Sequence, residues 1–133
     1  MANFKKHLVT GVVVGTITAI VLYIFRYFNE HKRNRKIKFE FWKFVQSIFS
    51  GCALGALTGI VTDKIEPTTN PNHRGFFHSF TFWFALSVAA YKILFERDVD
   101  CLCKDLMLIG FAGYSSHLAL DMQTQKSLPL LGI

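Results

Sequence analysis

Residues 47–63 read SIFSGCALGALTGIVTD, and this stretch decides how the chain is expected to fold. Glycine recurs every four residues, at Gly51, Gly55 and Gly59, inside an almost entirely apolar run. Residues four apart lie on one face of a helix, and small residues on one face let membrane helices approach closely. One turn further, the same face reaches Asp63. The stretch therefore predicts a helix that packs tightly along one side and ends in a carboxylate.

The composition of the whole chain indicates a membrane protein. Of its 133 residues, 51% are hydrophobic and only 18% are charged. A chain of this length has more apolar surface than a small globule can bury, so a bilayer is the expected solvent. The net charge of +6 does not indicate nucleic acid, because seven of the 15 Lys and Arg lie in the segment 26–43, directly after an apolar run. That placement is typical of a cytoplasmic loop, so we expect membrane lipid and no nucleic acid as partners.

Apolar runs follow one another along the chain, at Leu8–Phe25, Phe44–Thr62, Phe76–Phe95 and Leu106–Leu120. The first three approach the roughly 20 residues that a helix needs to cross the hydrocarbon core, and the fourth is shorter. We predict an all-α fold with one domain over residues 1–133, a multi-pass bundle of about four hydrophobic helices. The side with the first and third loops holds about ten Lys and Arg against five on the other side. This asymmetry predicts that the first side is cytoplasmic.

Histidines and aspartates collect where these runs end. In an antiparallel bundle, the starts of the first and third runs meet the ends of the second and fourth, on the predicted extracytoplasmic face. The polar residues at these four positions are His7, Asp63, His73, His78, His117 and Asp121. Histidine and carboxylate side chains are common ligands of zinc and related metals. The topology therefore predicts a metal site.

Small residues in two other runs point to the same residues. In the first run Gly11 lies one turn after His7, and in the fourth Gly113 lies one turn before His117, which is itself one turn before Asp121. The alternative is that the glycines serve packing alone, since such patterns are frequent in membrane helices. Three small-residue faces that each reach a His or Asp on one predicted side favour a site.

The turn-rich loop before the third run adds further polar candidates. His73 and Arg74 precede His78, which is expected within the first turns of the third helix. All three could instead be ordinary polar residues of the membrane interface. Glu66, after the second run, could be a ligand, a general base or a solvated loop residue. His31 belongs to the basic loop on the opposite side and is not a candidate.

In this order, the motifs resemble the YdjM-like family of LexA-regulated, inner-membrane, metal-dependent hydrolases. The matching residues span nearly the whole chain: His7 with Gly11, Asp63…Pro67, His73-Arg74-Gly75…His78-Ser79, Gly113-Tyr114…Ser116-His117-Leu118…Asp121…Thr124, and Leu128-Pro129-Leu130. The family typically reads P-D-x-D-H-P where this chain has Thr62-Asp63-Lys64-Ile65-Glu66-Pro67. A ligand is therefore missing or replaced here, so the number of ions stays open at one or two.

The resemblance implies a multi-pass protein of the bacterial inner (plasma) membrane, a hydrolase that uses a metal-activated water. The expected metal ligands are His7, Asp63, His78, His117 and Asp121, with zinc the first choice of divalent metal. Glu66 is the expected general base, His73 a ligand or acid/base, and Arg74 a partner for a phosphate or developing anion. A site at the bilayer surface favours a lipid, another amphiphilic ester or a phosphodiester. Two alternatives are a non-enzymatic metal-binding membrane scaffold and a holin-like small membrane protein.

Overall fold

A computed structural model describes residues 4–65 and 76–123 of the chain. The helices are α1 (Phe4–Arg33), α2 (Phe41–Ile65), α3 (Phe80–Phe95) and α4 (Cys101–Met122), with a single 3₁₀ turn at Phe76–His78 before α3. Within these two ranges there is no β-strand. The predicted all-α fold with four helices is confirmed.

The helices differ in length from the apolar runs that predicted them. Both α1 and α2 are long and apolar enough to cross a membrane by length and composition. α3 has only 16 residues, which corresponds to about 24 Å against a hydrocarbon core of about 30 Å. The apolar run of the fourth helix is the shortest of the four and suggested the shortest helix. α4 nevertheless has 22 residues and is longer than α3. It is longer because Cys101–Asp105, which precedes the apolar run, is helical too, following an N-cap at Asp100.

The glycine faces of α1 and α2 pack against each other, and the two helices run antiparallel. A Cβ placed on Gly15 would lie 2.8 Å from Cα of Gly55, and one on Gly51 would lie 2.6 Å from the carbonyl oxygen of Gly15. No side chain fits between the backbones at these positions. One turn beyond Gly51 and Gly15, the Ser47 hydroxyl donates a hydrogen bond to the carbonyl oxygen of Ala19, 3.1 Å away. The predicted close approach is confirmed.

α4 packs on this pair, and α3 packs chiefly against α4. A Cβ on Gly113 would lie 3.3 Å from Cα of Gly55, so α4 also approaches α2 closely. Tyr114 and Leu118 form a small buried core with apolar residues of α3. The Trp83 indole N–H donates to the Ser115 hydroxyl at 3.0 Å and fastens α3 to α4.

The two ends of the bundle carry different chemistry. At one end, Arg26 of α1 forms a 2.7 Å ion pair with Asp105 of α4 and donates to the carbonyl oxygen of Cys101 at 2.8 Å. His31 lies in this region, stacked on Tyr27. It belongs to the last turn of α1 and not to a loop as expected, because the helix continues to Arg33 through the start of the basic segment. The start of α1, the end of α2, the 3₁₀ turn and the end of α4 meet at the other end.

Candidate metal centre

Four side chains from three parts of the chain converge at that second end. Asp63 lies near the end of α2, His78 in the 3₁₀ turn, and His117 and Asp121 one turn apart in α4. Each offers one ligand atom, and the four atoms all lie within 4.8 Å of one another. The side chains of His78 and His117 are fully buried, whereas that of Asp63 is 17% exposed. This is the arrangement that the sequence predicted for these four residues.

The distances within this group match the edges of a metal coordination sphere. Nε2 of His78 lies 3.1 Å from Nε2 of His117. The same His78 atom lies 3.6 Å from Oδ1 of Asp63 and 3.6 Å from Oδ2 of Asp121. Nε2 of His117 lies 3.7 Å from Oδ1 of Asp63 and 3.4 Å from Oδ2 of Asp121. Ligands about 2.0–2.1 Å from a tetrahedral zinc would be about 3.3–3.4 Å apart, so the donor atoms fit around one ion.

The backbone of α2 fixes which nitrogen of His117 can bind a metal. Nδ1 of His117 lies 2.8 Å from the carbonyl oxygen of Gly59. A carbonyl oxygen only accepts, so Nδ1 donates, and in the neutral ring Nε2 carries the lone pair. That lone pair points toward the other three donors. Hydrogen bonds of this kind orient metal-binding histidines. The glycine at position 59 itself makes room for α1, since an added Cβ would lie 2.7 Å from the carbonyl oxygen of His7.

His78 is positioned differently from the expectation that it would lie within α3. It is the last residue of the 3₁₀ turn, and α3 begins two residues later. Ser79 is the N-cap of α3, and its hydroxyl accepts from the backbone N–H of Phe82 at 3.1 Å. The Tyr114 hydroxyl donates to the carbonyl oxygen of Phe77, directly before His78. The cap and the tyrosine together anchor the turn that presents His78.

His7 lies beside the group of four rather than within it. Its ring packs against that of His117, with the centroids 4.1 Å apart, and its Nε2 lies 3.6 Å from Oδ1 of Asp121. Asp121 therefore turns one oxygen toward His7 and the other toward His78 and His117. Nδ1 of His7 is buried and has no hydrogen-bond partner among residues 4–65 and 76–123. The structure thus places His7 against two residues of the group, His117 and Asp121.

Two carboxylates in this largely buried group need charge compensation. A buried carboxylate is costly unless it is paired or binds a metal, and ionisable groups at membrane depth usually have a partner. A divalent cation held by Asp63 and Asp121 would offset both charges. The residues present therefore fit a metal ion in donor type, spacing and charge.

Some predicted residues lie outside the described ranges, and others were not singled out from the sequence. Glu66, His73 and Arg74 belong to the first group. The second group consists of the Gly59 carbonyl and Tyr114, which was named only as part of the motif shared with the family and was given no role. Tyr114 could have been found as the residue nearly one turn before His117, whereas a backbone carbonyl leaves no signal in the sequence.

These features define an α-helical membrane protein with a buried histidine and aspartate group that could hold a metal ion. The profile of the YdjM inner membrane protein family matches residues 1–132, and the chain belongs to this family. The resemblance noted from the motifs is confirmed at this level. A search of curated proteins and a search of solved structures each gave no match.

Proposed function

We propose that the chain is a membrane-bound, metal-dependent hydrolase. The observation that carries this proposal is the spacing of Asp63, His78, His117 and Asp121, whose donor atoms lie 3.1–3.7 Å apart across five measured pairs. These residues would hold one divalent ion, with zinc the first choice for a set of two imidazoles and two carboxylates. Bound there, the metal would lower the pKa of a water molecule and polarise the scissile bond.

The exposure of the four donors indicates where a substrate would enter. Asp63 is the most exposed of them, at 17% of its side chain, whereas the histidines are fully buried. Water and substrate would therefore approach from the side of Asp63. His117, held by Gly59, and His78, held by its capped turn, would keep the rigid part of the site in place. His7 would orient Asp121 through the oxygen that the other donors do not face.

The proposed reaction is hydrolysis of an ester or phosphodiester in a lipid or another amphiphile. The oxygen of water bonds to the carbonyl carbon or phosphorus, the bond to the leaving oxygen breaks, and that oxygen takes up a proton. Glu66 is proposed as the base that takes the proton from water, and His73 as the acid or a further ligand. Arg74 is proposed to hold the anionic group. The proposed location is the extracytoplasmic face of a multi-pass inner-membrane protein.

A scaffold without catalysis is the second candidate, and one observation favours it. Four protein donors would leave no open position on a four-coordinate zinc, as in structural zinc sites, whereas catalytic zinc usually keeps one position open. The ion would then fasten the 3₁₀ turn to α2 and α4. A holin-like function gives no reason for four converging donors at one end of the bundle.

Metal analysis of the detergent-purified chain tests the site itself. We expect close to one divalent ion per chain in the wild type and its loss in His117→Ala and Asp121→Ala. His31→Ala is the matched control, because His31 lies near the opposite end and contacts Tyr27. A wild type without bound metal, or equal metal in His117→Ala and His31→Ala, would overturn the proposal.

A hydrolysis screen separates the enzyme from the scaffold. Metal-loaded protein is incubated with carboxylic ester lipids and with phosphodiester lipids in detergent micelles. We expect cleavage of one class, its loss in His117→Ala, and normal cleavage in His31→Ala. Metal bound at full occupancy with every lipid intact would support the scaffold. The proposed orientation is tested by labelling Asn70→Cys from each side, in a background where Cys101 and Cys103 are serine; labelling only from the cytoplasm would contradict it.

A further inference from the structure

An apolar groove of about 420 Å³ runs between α3 and the neighbouring pair of α2 and α4. It forms because α3 packs chiefly against α4 and leaves a gap toward α2. Small residues on two walls, Ala89 and Ala90 of α3 and Gly110 of α4, keep the gap open. Gly110 has no contact that a methyl group would crowd: an added Cβ would lie 3.7 Å from Cγ2 of Thr58.

One end of this groove is lined by residues that flank the candidate metal centre, although the four donors themselves do not line it. Three of the residues that line it are neighbours of donors: Thr62 precedes Asp63, Phe77 precedes His78, and Tyr114 lies nearly one turn before His117. A ligand that filled the groove would therefore place one end against Thr62, Phe77 and Tyr114, the residues next to the donors in the chain. The Thr62 hydroxyl is buried and lacks a hydrogen-bond partner among the described residues. Thr58, one turn earlier, instead donates to the carbonyl oxygen of Leu54 at 2.8 Å.

The surroundings of the groove restrict what can fill it. It lies against α2, a helix long and apolar enough to cross a membrane, and its walls are almost entirely apolar. Water is a poor occupant, because it needs several polar partners. Lipid chains are as apolar as leucine and surround a membrane helix at high concentration. The volume is within the range of ligand pockets, roughly 300–1,000 Å³, and a narrow apolar groove of this kind suits a flexible hydrocarbon chain.

We propose that the groove holds one acyl chain of the lipid that the metal centre hydrolyses. This inference rests on the proposed hydrolase function and makes it more specific, because it assigns the substrate to acyl lipids with the scissile bond next to the chain's polar end. The chain lies along Ala89 and Gly110, and the ester or phosphodiester lies beside Thr62 and the four donors. A short, soluble ester would leave the groove unfilled and is a poor substrate.

Photo-crosslinking tests the occupant without relying on activity. The full chain is reconstituted in nanodiscs with a phospholipid that carries a diazirine on one acyl chain, irradiated, and mapped by mass spectrometry. We expect labelling of residues 86–93 and 107–114 above that of the lipid-facing surface of α1. Two variants fill the groove from opposite walls, Ala89→Phe and Gly110→Leu, and both are expected to lose this excess labelling. Ala85→Phe is the matched control, because Ala85 is on the same helix, is exposed and does not line the groove.

The outcomes distinguish this proposal from the hydrolase proposal. Groove labelling that persists in metal-free His117→Ala while no lipid is cleaved would support the acyl site and reject the hydrolase. Cleavage of long-chain lipids that continues unchanged in both filled variants would support the hydrolase and reject the acyl site. Labelling spread evenly around the bundle would also reject the acyl site. Crosslinks from a photoreactive residue at position 89 to a second copy of the chain would show that a helix occupies the groove instead.

Discussion

Replacing Gly55 with alanine should force α1 and α2 apart. An added Cβ would overlap the carbonyl oxygen of Gly11, and it would lie 2.8 Å from the carbonyl carbon of Gly11 and 3.1 Å from Cα of Gly15. All these atoms belong to the helix backbone, so none can rotate away. Ordinary contact begins at 3.4 Å, so α1 must move by at least about 0.6 Å, the difference from 2.8 Å. A gap of about 0.5–1 Å forfeits a quarter to a half of each dispersion contact.

The energetic cost can be isolated by a matched substitution. Membrane helices associate largely through such packing contacts, and overpacking a close interface costs about 1–3 kcal/mol. Alanine also stabilises a helix by about 1 kcal/mol relative to glycine, which would hide part of this cost. Gly110→Ala gains the same propensity without the clash, because its Cβ would lie 3.7 Å from the nearest side chain. The two variants should therefore differ by about 1–3 kcal/mol, with Gly55→Ala less stable.

Thermal unfolding of both variants in detergent, followed by circular dichroism at 222 nm, measures this difference. For a chain of this size, it corresponds to a Tm that is lower for Gly55→Ala by on the order of 4–12 °C. Equal Tm values for the two variants would refute the reasoning, because they would show that the contact between the glycine faces of α1 and α2 accommodates the methyl group without loss of stability. A Gly110→Ala variant as unstable as Gly55→Ala would refute it as well.

Three further changes test single contacts. Tyr114→Phe removes the hydrogen bond to the carbonyl oxygen of Phe77 and should lower the free energy of unfolding by about 0.5–1.5 kcal/mol. It should also weaken metal binding, measured in a competition titration with a chelator; an unchanged metal affinity would show that the 3₁₀ turn holds without this hydrogen bond. His7→Gln should weaken metal binding by about 10–100-fold, as for a residue that orients a ligand, and complete loss of metal would make His7 a ligand. A double-mutant cycle between Arg26 and Asp105 should give a coupling of no more than about 1 kcal/mol, since both side chains are partly exposed, and a larger value would contradict their exposure.

Much of the fold could be predicted from spacing alone. The four-residue recurrence of Gly51, Gly55 and Gly59 identified the face of α2 that packs, because helical geometry places such residues in one row. The same reasoning applied to Gly11 in α1. Helix lengths were less predictable. The fourth helix already begins at Cys101, because charged residues such as Lys104 and Asp105 are compatible with the start of a helix although they interrupt the apolar pattern.

The candidate site could be predicted to the level of its residues but not of its geometry. Asp63, His78, His117 and Asp121 were expected to meet because antiparallel helices bring their ends together. The sequence did not show that His7 lies beside this group and contacts Asp121 through one oxygen. Whether His7 lies within the group of donors or beside it depends on angstrom-scale differences in where the first turn of α1 lies on α4.

The sequence by itself determined that this is an all-helical membrane protein with glycine faces that end in histidine and aspartate, because composition and helical periodicity are properties of the chain. Only the tertiary structure decided which nitrogen of His117 faces the other donors, because that depends on a carbonyl of α2 at Gly59. It also decided that α3 stands away from α2 and leaves a groove lined at one end by Thr62 and Phe77, which flank two of the donors. Such features arise from distances between helices, which no local pattern of residues encodes.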